Sequence, residues 1–200
     1  MLTQAISLAA NQVWDATLVK RAAEAAGLSA ADAELLMPNG ARDLAALLAR
    51  RHDAQALGRL TEVDMTALKI RQRIILAVET RVETAMVDEM AVKRASLFLA
   101  HPNNAALAVS LAWASADALW RWAGDTSTDE NHYSKRAILA GVLTSTLAVR
   151  LSAGRARAKA YLDGRIDNVM GFEKWKGALP QPMEALAGAA ALLGRLRYGR

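Results

Sequence analysis

Few residues in this chain could do chemistry. The three histidines, His52, His101 and His132, are scattered, and only Asp129-x-x-His132 has the helical spacing of half a carboxylate–histidine metal site. A di-iron helical bundle needs that motif twice, with further carboxylates. No second Glu/Asp-x-x-His occurs here, so His132 reads as a surface histidine following a helix cap. Cysteine is absent, which excludes thiolate nucleophiles and disulfides. The chain also has no G-x-S-x-G elbow, phosphate loop or dinucleotide fingerprint. These residues imply neither an enzyme nor a bound metal or cofactor.

The remaining chemistry is recognition, concentrated around Trp120–Arg136, WRWAGDTSTDENHYSKR. Gly124 suits the left-handed position that ends a helix. Asp125 to Asp129 are all good N-cap types, and two overlapping capping boxes, Thr126/Asp129 and Ser127/Glu130, would start the next helix. A corner needs no more than this. Trp120, Trp122, His132, Tyr133, Lys135 and Arg136 add the aromatic and Arg content favoured at interfaces. Upstream, Asn104 to Ala116 is apolar almost all round, as in a buried helix. Trp113, Asp117 and Trp120 share one face by their four- and three-residue steps. Asp117 is expected to pair with Arg121 or another cation, because an unpaired buried carboxylate is costly. This face is either ordinary core or one wall of a cavity for an apolar ligand; composition alone favours core.

The same residues carry a resemblance. Asp117, Trp120, Ala123, Gly124, Asp125, Ser127, Thr128, Asp129, Tyr133, Lys135 and Arg136 match a D-x-x-W, A-G-D-x-S-T-D, Tyr-Thr-(Lys/Arg)-Arg signature. Tyr161-Leu162-Asp163-Gly164-Arg165-Ile166 is similar to a following Phe-Leu-Asp-x-Arg-Ile. His132 stands where an aromatic is usual, and Ser134 replaces Thr. This pattern resembles the Coq-nine family, the lipid-binding accessory proteins of ubiquinone biosynthesis, over about Trp14 to Lys176. The resemblance implies an all-α, TetR-like bundle with a degenerate helix-turn-helix and no cofactor. It implies a cavity for isoprenoid quinone precursors, with Trp113, Asp117 and Trp120 facing Ile74, Val78, Val82, Leu139, Val142 and Leu143. The implied partner is the di-iron demethoxyubiquinone hydroxylase, met through Asp129, His132, Tyr133 and Arg136. A homodimer is expected by fold analogy.

The elements that would position these residues are helices. Alanine is abundant, Gly and Pro are few, and no period-2 alternation is sustained. Asp15 is expected to cap a helix to Ala26, ended by Gly27. Ser29 opens a helix to Met37, stopped by Pro38, and Asn39 caps the next, with Leu44, Leu47 and Leu48 on one face. Longer helices are expected at Met65–Val87, Asp88–Ala100, Asn104–Ala123, Asp129–Leu151 and Arg155–Lys176. Gly164 and Gly171 would let another helix approach closely. Residues 1–60 thus form a helix-turn-helix-like part and 61–179 the binding bundle. Residues 180–200 form a Pro-containing linker and a terminal amphipathic helix. In that helix Leu186, Leu192, Leu193 and Leu196 make an apolar arc, while Arg195 and Arg197 suit an anionic membrane surface.

The net charge of +5 and pI near 9.8 permit a nucleic acid, anionic membrane or acidic partner without choosing among them. The would-be recognition helix, Ser29–Met37, holds Asp32 and Glu34 and no cation. It is therefore poorly suited to DNA phosphates or base edges, and a TetR-type DNA-binding regulator is the second reading. No run of about 18 apolar residues is free of charge, and the N-terminus lacks secretory or transit features. The expected location is the cytoplasm, peripheral on the inner face of a bacterial membrane.

Overall fold

The computed structural model describes residues 1–126 and 130–178, and the regular structure among them is entirely helical. Eight α-helices follow in order: α1 Leu2–Leu8, α2 Ala16–Ala25, α3 Ala30–Leu36, α4 Ala41–Leu60, α5 Ile70–Ala85, α6 Glu89–Leu99, α7 Ala105–Trp122 and α8 Glu130–Ala178. Asp129 and the expected terminal helix, with Leu186, Leu192, Leu193, Leu196, Arg195 and Arg197, lie outside the described residues. Met1–Asp163 forms one compact unit; a second begins at Gly164, and its described part is the end of α8.

Most boundaries have the local causes expected of them. Asp15 caps α2 by accepting from the Leu18 N–H, and Ser29 caps α3 by accepting from that of Asp32. Gly27 (φ +72) and Gly124 (φ +93) end α2 and α7 in Schellman motifs, with the N–H of Leu28 reaching the carbonyl of Ala23 and that of Asp125 reaching Trp120. Within α8, Gly154 breaks the helical dihedrals at φ +80 and ψ 177, a region that only glycine visits at low cost. This separates the two helices expected at Asp129–Leu151 and Arg155–Lys176.

Two expectations are corrected. Gly40 (φ +56), not Asn39, is the N-cap of α4; Asn39 instead donates through its backbone and side-chain nitrogens to Asp43, at 2.7 and 3.1 Å. Also, α5 starts at Ile70 rather than Met65. Asp64 draws in the N–H and hydroxyl of Thr66 to make a turn, and Arg73 holds that turn through the carbonyls of Met65 and Leu68.

The N-terminal core joins Ala5, Trp14, Leu18, Leu44, Leu48 and Val92, from α1, α2, α4 and α6 and the turn between α1 and α2. The Trp14 indole donates to the Ala41 carbonyl at 3.0 Å. Helix α4 also packs on α5 and α7. The Trp122 indole fastens the end of α7 to the carbonyl of Leu60, and Arg73 bonds the carbonyl of Ala123. Helix α3 contributes no buried residue, and Leu35 is 82% exposed.

Candidate functional site

The corner between α7 and α8 is built around a buried cation. The Arg136 side chain is only 2% exposed. Its Nε donates to Asp117 at 2.5 Å, and its Nη1 donates to Asp125 at 3.0 Å and to the His132 carbonyl at 3.1 Å. Asp125, 6% exposed, also takes Lys135 at 2.8 Å, and Asp117 takes the exposed Arg121 at 2.9 Å. Desolvation pushes the Asp117 carboxyl upward, but the Arg136 hydrogen bond and the charges of Arg121 and Arg136 outweigh it and hold the pKa below its ordinary value. Burial likewise opposes charge on Arg136, and its bonds to Asp117 and Asp125 win, raising its pKa. The Trp120 indole donates to the Lys135 carbonyl at 3.0 Å, and the Lys135 ammonium lies 5.6 Å from the centre of its ring.

Asp117, Trp120, Gly124, Asp125, Lys135 and Arg136 therefore form a clasp that turns α7 into α8. Among the residues expected to meet a partner, Arg136 is an interior cation. Arg136 is enclosed by its own carboxylates and offers no surface to a second protein. Tyr133 is 65% exposed, in ring contact with Trp113 (6.2 Å between centroids) and edge-on to His132 (5.2 Å).

A separate feature is an open apolar groove of about 590 Å³, within the range of small-molecule sites. Leu97 and Leu99 of α6, Ala108 and Leu111 of α7, and Leu147 and Leu151 of α8 supply much of its wall. Between His132 and Asn168, α8 contains an 18-residue window apolar enough to cross a membrane by length and composition, and only 22% of that window is buried; α8 residues between Leu143 and Ser152 line the groove.

Of the nine residues expected to face a lipid, Val82 and Leu143 reach the groove. Ile74, Val78, Leu139 and Val142 are buried side chains outside its lining. Trp113, Asp117 and Trp120 do share one face, but it is the opposite face of α7: Ala108, Leu111, Ala112 and Ser115 look into the groove, while the tryptophan face meets the start of α8. An apolar stripe reads alike whether it meets a neighbouring helix or an opening, so the choice of face was not legible.

Part of the groove's lining is polar, which was not expected from the sequence. Arg81, 7% exposed, lies in the lining and donates through Nε to Asp53 at 2.5 Å and through Nη2 to the Ala49 carbonyl at 3.3 Å. The Ser115 hydroxyl donates to the same carboxylate, 2.7 Å from Oδ1 and 3.0 Å from Oδ2. A signal was available: Ile74, Ala77, Val78, Arg81, Val82 and Ala85 form a single core-facing stripe, in which an arginine is out of place. Behind it, His52 is 2% exposed and lies 2.9 Å from Asp88 through Nε2; desolvation lowers its pKa, only partly offset by that hydrogen bond.

Comparison with known proteins falls on the same part of the chain. Residues 105–173, which are α7 and most of α8, match the COQ9 family model. Over 98% of its length the chain is 26% identical to the mitochondrial ubiquinone biosynthesis proteins COQ9 of Rattus norvegicus and Homo sapiens, covering 67% and 66% of those proteins. It is 26% identical to the mitochondrial ubiquinone biosynthesis protein COQ9-B of Xenopus laevis over 85% of its length and 61% of that protein. The chain thus spans about two thirds of the length of the curated relatives it matches. The clasp and one long wall of the groove both lie within 105–173, the stretch that matches the COQ9 family model, and the chain is similar to COQ9 proteins along nearly its whole length.

Proposed function

We propose that this protein is a lipid-binding accessory factor of ubiquinone biosynthesis, holding an isoprenoid quinone precursor in the groove and presenting its head group to a di-iron hydroxylase at the membrane. The observation that carries this reading is the open apolar groove of about 590 Å³, one wall of which lies in the stretch matching the COQ9 family model. An isoprenoid chain loses roughly 0.8 kcal/mol for each methylene exposed to water, so an enzyme outside the bilayer needs a carrier that keeps the chain covered. The groove offers such cover and has an opening through which a chain could enter. The exposed Tyr133, beside Trp113 and His132, suits a docking face for the hydroxylase, and the Leu- and Arg-containing terminal segment suits attachment to anionic lipid.

Native mass spectrometry of the purified chain, followed by lipid extraction, tests this directly. A co-purifying isoprenoid, or stoichiometric uptake of added quinone precursor, is expected. A protein that is empty and takes up no added precursor would overturn the proposal.

A further inference from the structure

The polar residues of the groove's lining specify a ligand chemistry. The Arg81 guanidinium is spoken for only in part: Nε bonds Asp53 and Nη2 bonds the Ala49 carbonyl, while Nη1 makes no hydrogen bond among the described residues. Asp53 is already shared with the Ser115 hydroxyl, which fixes the carboxylate behind the guanidinium. Ser115 and Arg81 both line the groove, Lys93 adds a second cation at the exposed rim, and no Asp or Glu is in the lining. Asp53 balances Arg81, which leaves the surroundings of the groove one positive charge in excess through Lys93. A guanidinium N–H that opens onto an apolar wall gains most from a charged acceptor.

We infer that the groove takes a single-chain amphiphile ending in a carboxylate, with the carboxylate received by Arg81 and Lys93 and the chain laid along Leu111 and Leu147. This inference rests on the proposal that the groove binds lipid and names a second ligand class for it, held by its charged end within the groove rather than presenting that end outward. A neutral carbonyl could accept the same Nη1 proton, so the preference is one of degree and is set by charge.

The test compares oleate with methyl oleate and oleyl alcohol, each below its micelle threshold, by calorimetric titration into the full-length protein. Oleate is expected to bind at least about 10-fold more tightly than the ester, the margin of one charge-assisted contact. Lys93→Gln, an exposed change that leaves the core intact, should narrow that ratio while ester binding holds. Arg81→Gln should abolish it, and Arg81→Lys should keep part of it. The comparison on the unaltered chain stands even where an Arg81 variant fails to fold. Equal affinity for acid and ester would overturn the head-group assignment and leave the lipid groove standing. Binding of none of the three would overturn both.

Discussion

Replacing Arg136 by methionine should cost this fold about 3 kcal/mol. The substitution keeps the chain length and removes the charge, taking the guanidinium away from Asp125 (6% exposed) and leaving Asp117 its ion pair with the exposed Arg121. Breaking one side of a buried ion pair typically costs about 3–5 kcal/mol, because a desolvated charge loses its counter-ion. The Asp117 side chain keeps 22% exposure, so water relieves part of the penalty and the lower end applies. For a chain of this size that is a fall in Tm of about 6–12 °C. The control is Arg121→Ala, whose side chain is 72% exposed and whose ion pair with Asp117 is worth less than about 1 kcal/mol. Urea titration by circular dichroism of the two variants measures both. If Arg136→Met stays within 1 kcal/mol of the unaltered chain, the clasp is not what holds α7 to α8.

Four further outcomes follow from the same structure. Gly154→Ala forces a side chain into a dihedral region that glycine alone tolerates, although no atom lies within 4 Å of the added Cβ; strain alone should cost about 1–3 kcal/mol, and a stability unchanged in urea would argue for a continuous helix. His52 is held neutral by burial, so the unfolded chain binds a proton that the folded chain refuses. Stability should therefore fall as pH drops below about 6.5 toward the depressed pKa, and His52→Gln should flatten that part of the profile; an unaltered slope would contradict the assignment. Ala112→Phe, pointing into the groove, should reduce isoprenoid uptake at least about tenfold with little change in Tm, and full uptake would place the ligand elsewhere. Tyr133→Ala should weaken capture of the di-iron hydroxylase in a pull-down without lowering Tm; loss of stability with normal capture would make Tyr133 a packing residue.

Much of the fold was legible because its signals are local. Asp15, Ser29, Gly27 and Gly124 act within a few residues of themselves, and each does what its type and position suggest. The turn before α5 was missed because Asp64 and Arg73, two ordinary polar residues in a helical pattern, divert the backbone by hydrogen bonds that composition does not reveal. The site was only half legible. Trp113, Asp117 and Trp120 do lie on one face, but which face of α7 opens onto a groove depends on how α6 and α8 are placed, a long-range outcome. Arg136 shows the converse: a cation that reads as an interface residue in sequence becomes interior once Asp117 and Asp125, 19 and 11 residues before it, converge on it.

The central claim is that a lipid lies in the groove between α6, α7 and α8, and photo-crosslinking tests it most directly. A quinone precursor carrying a diazirine on its isoprenoid tail is loaded onto the full-length protein and irradiated, and the labelled peptides are mapped by mass spectrometry. Label on the segments holding Leu97, Leu111 and Leu147 is the predicted result. Label confined to the opposite face of α7, at Trp113 and Trp120, or label that untagged precursor fails to compete away, would contradict the account.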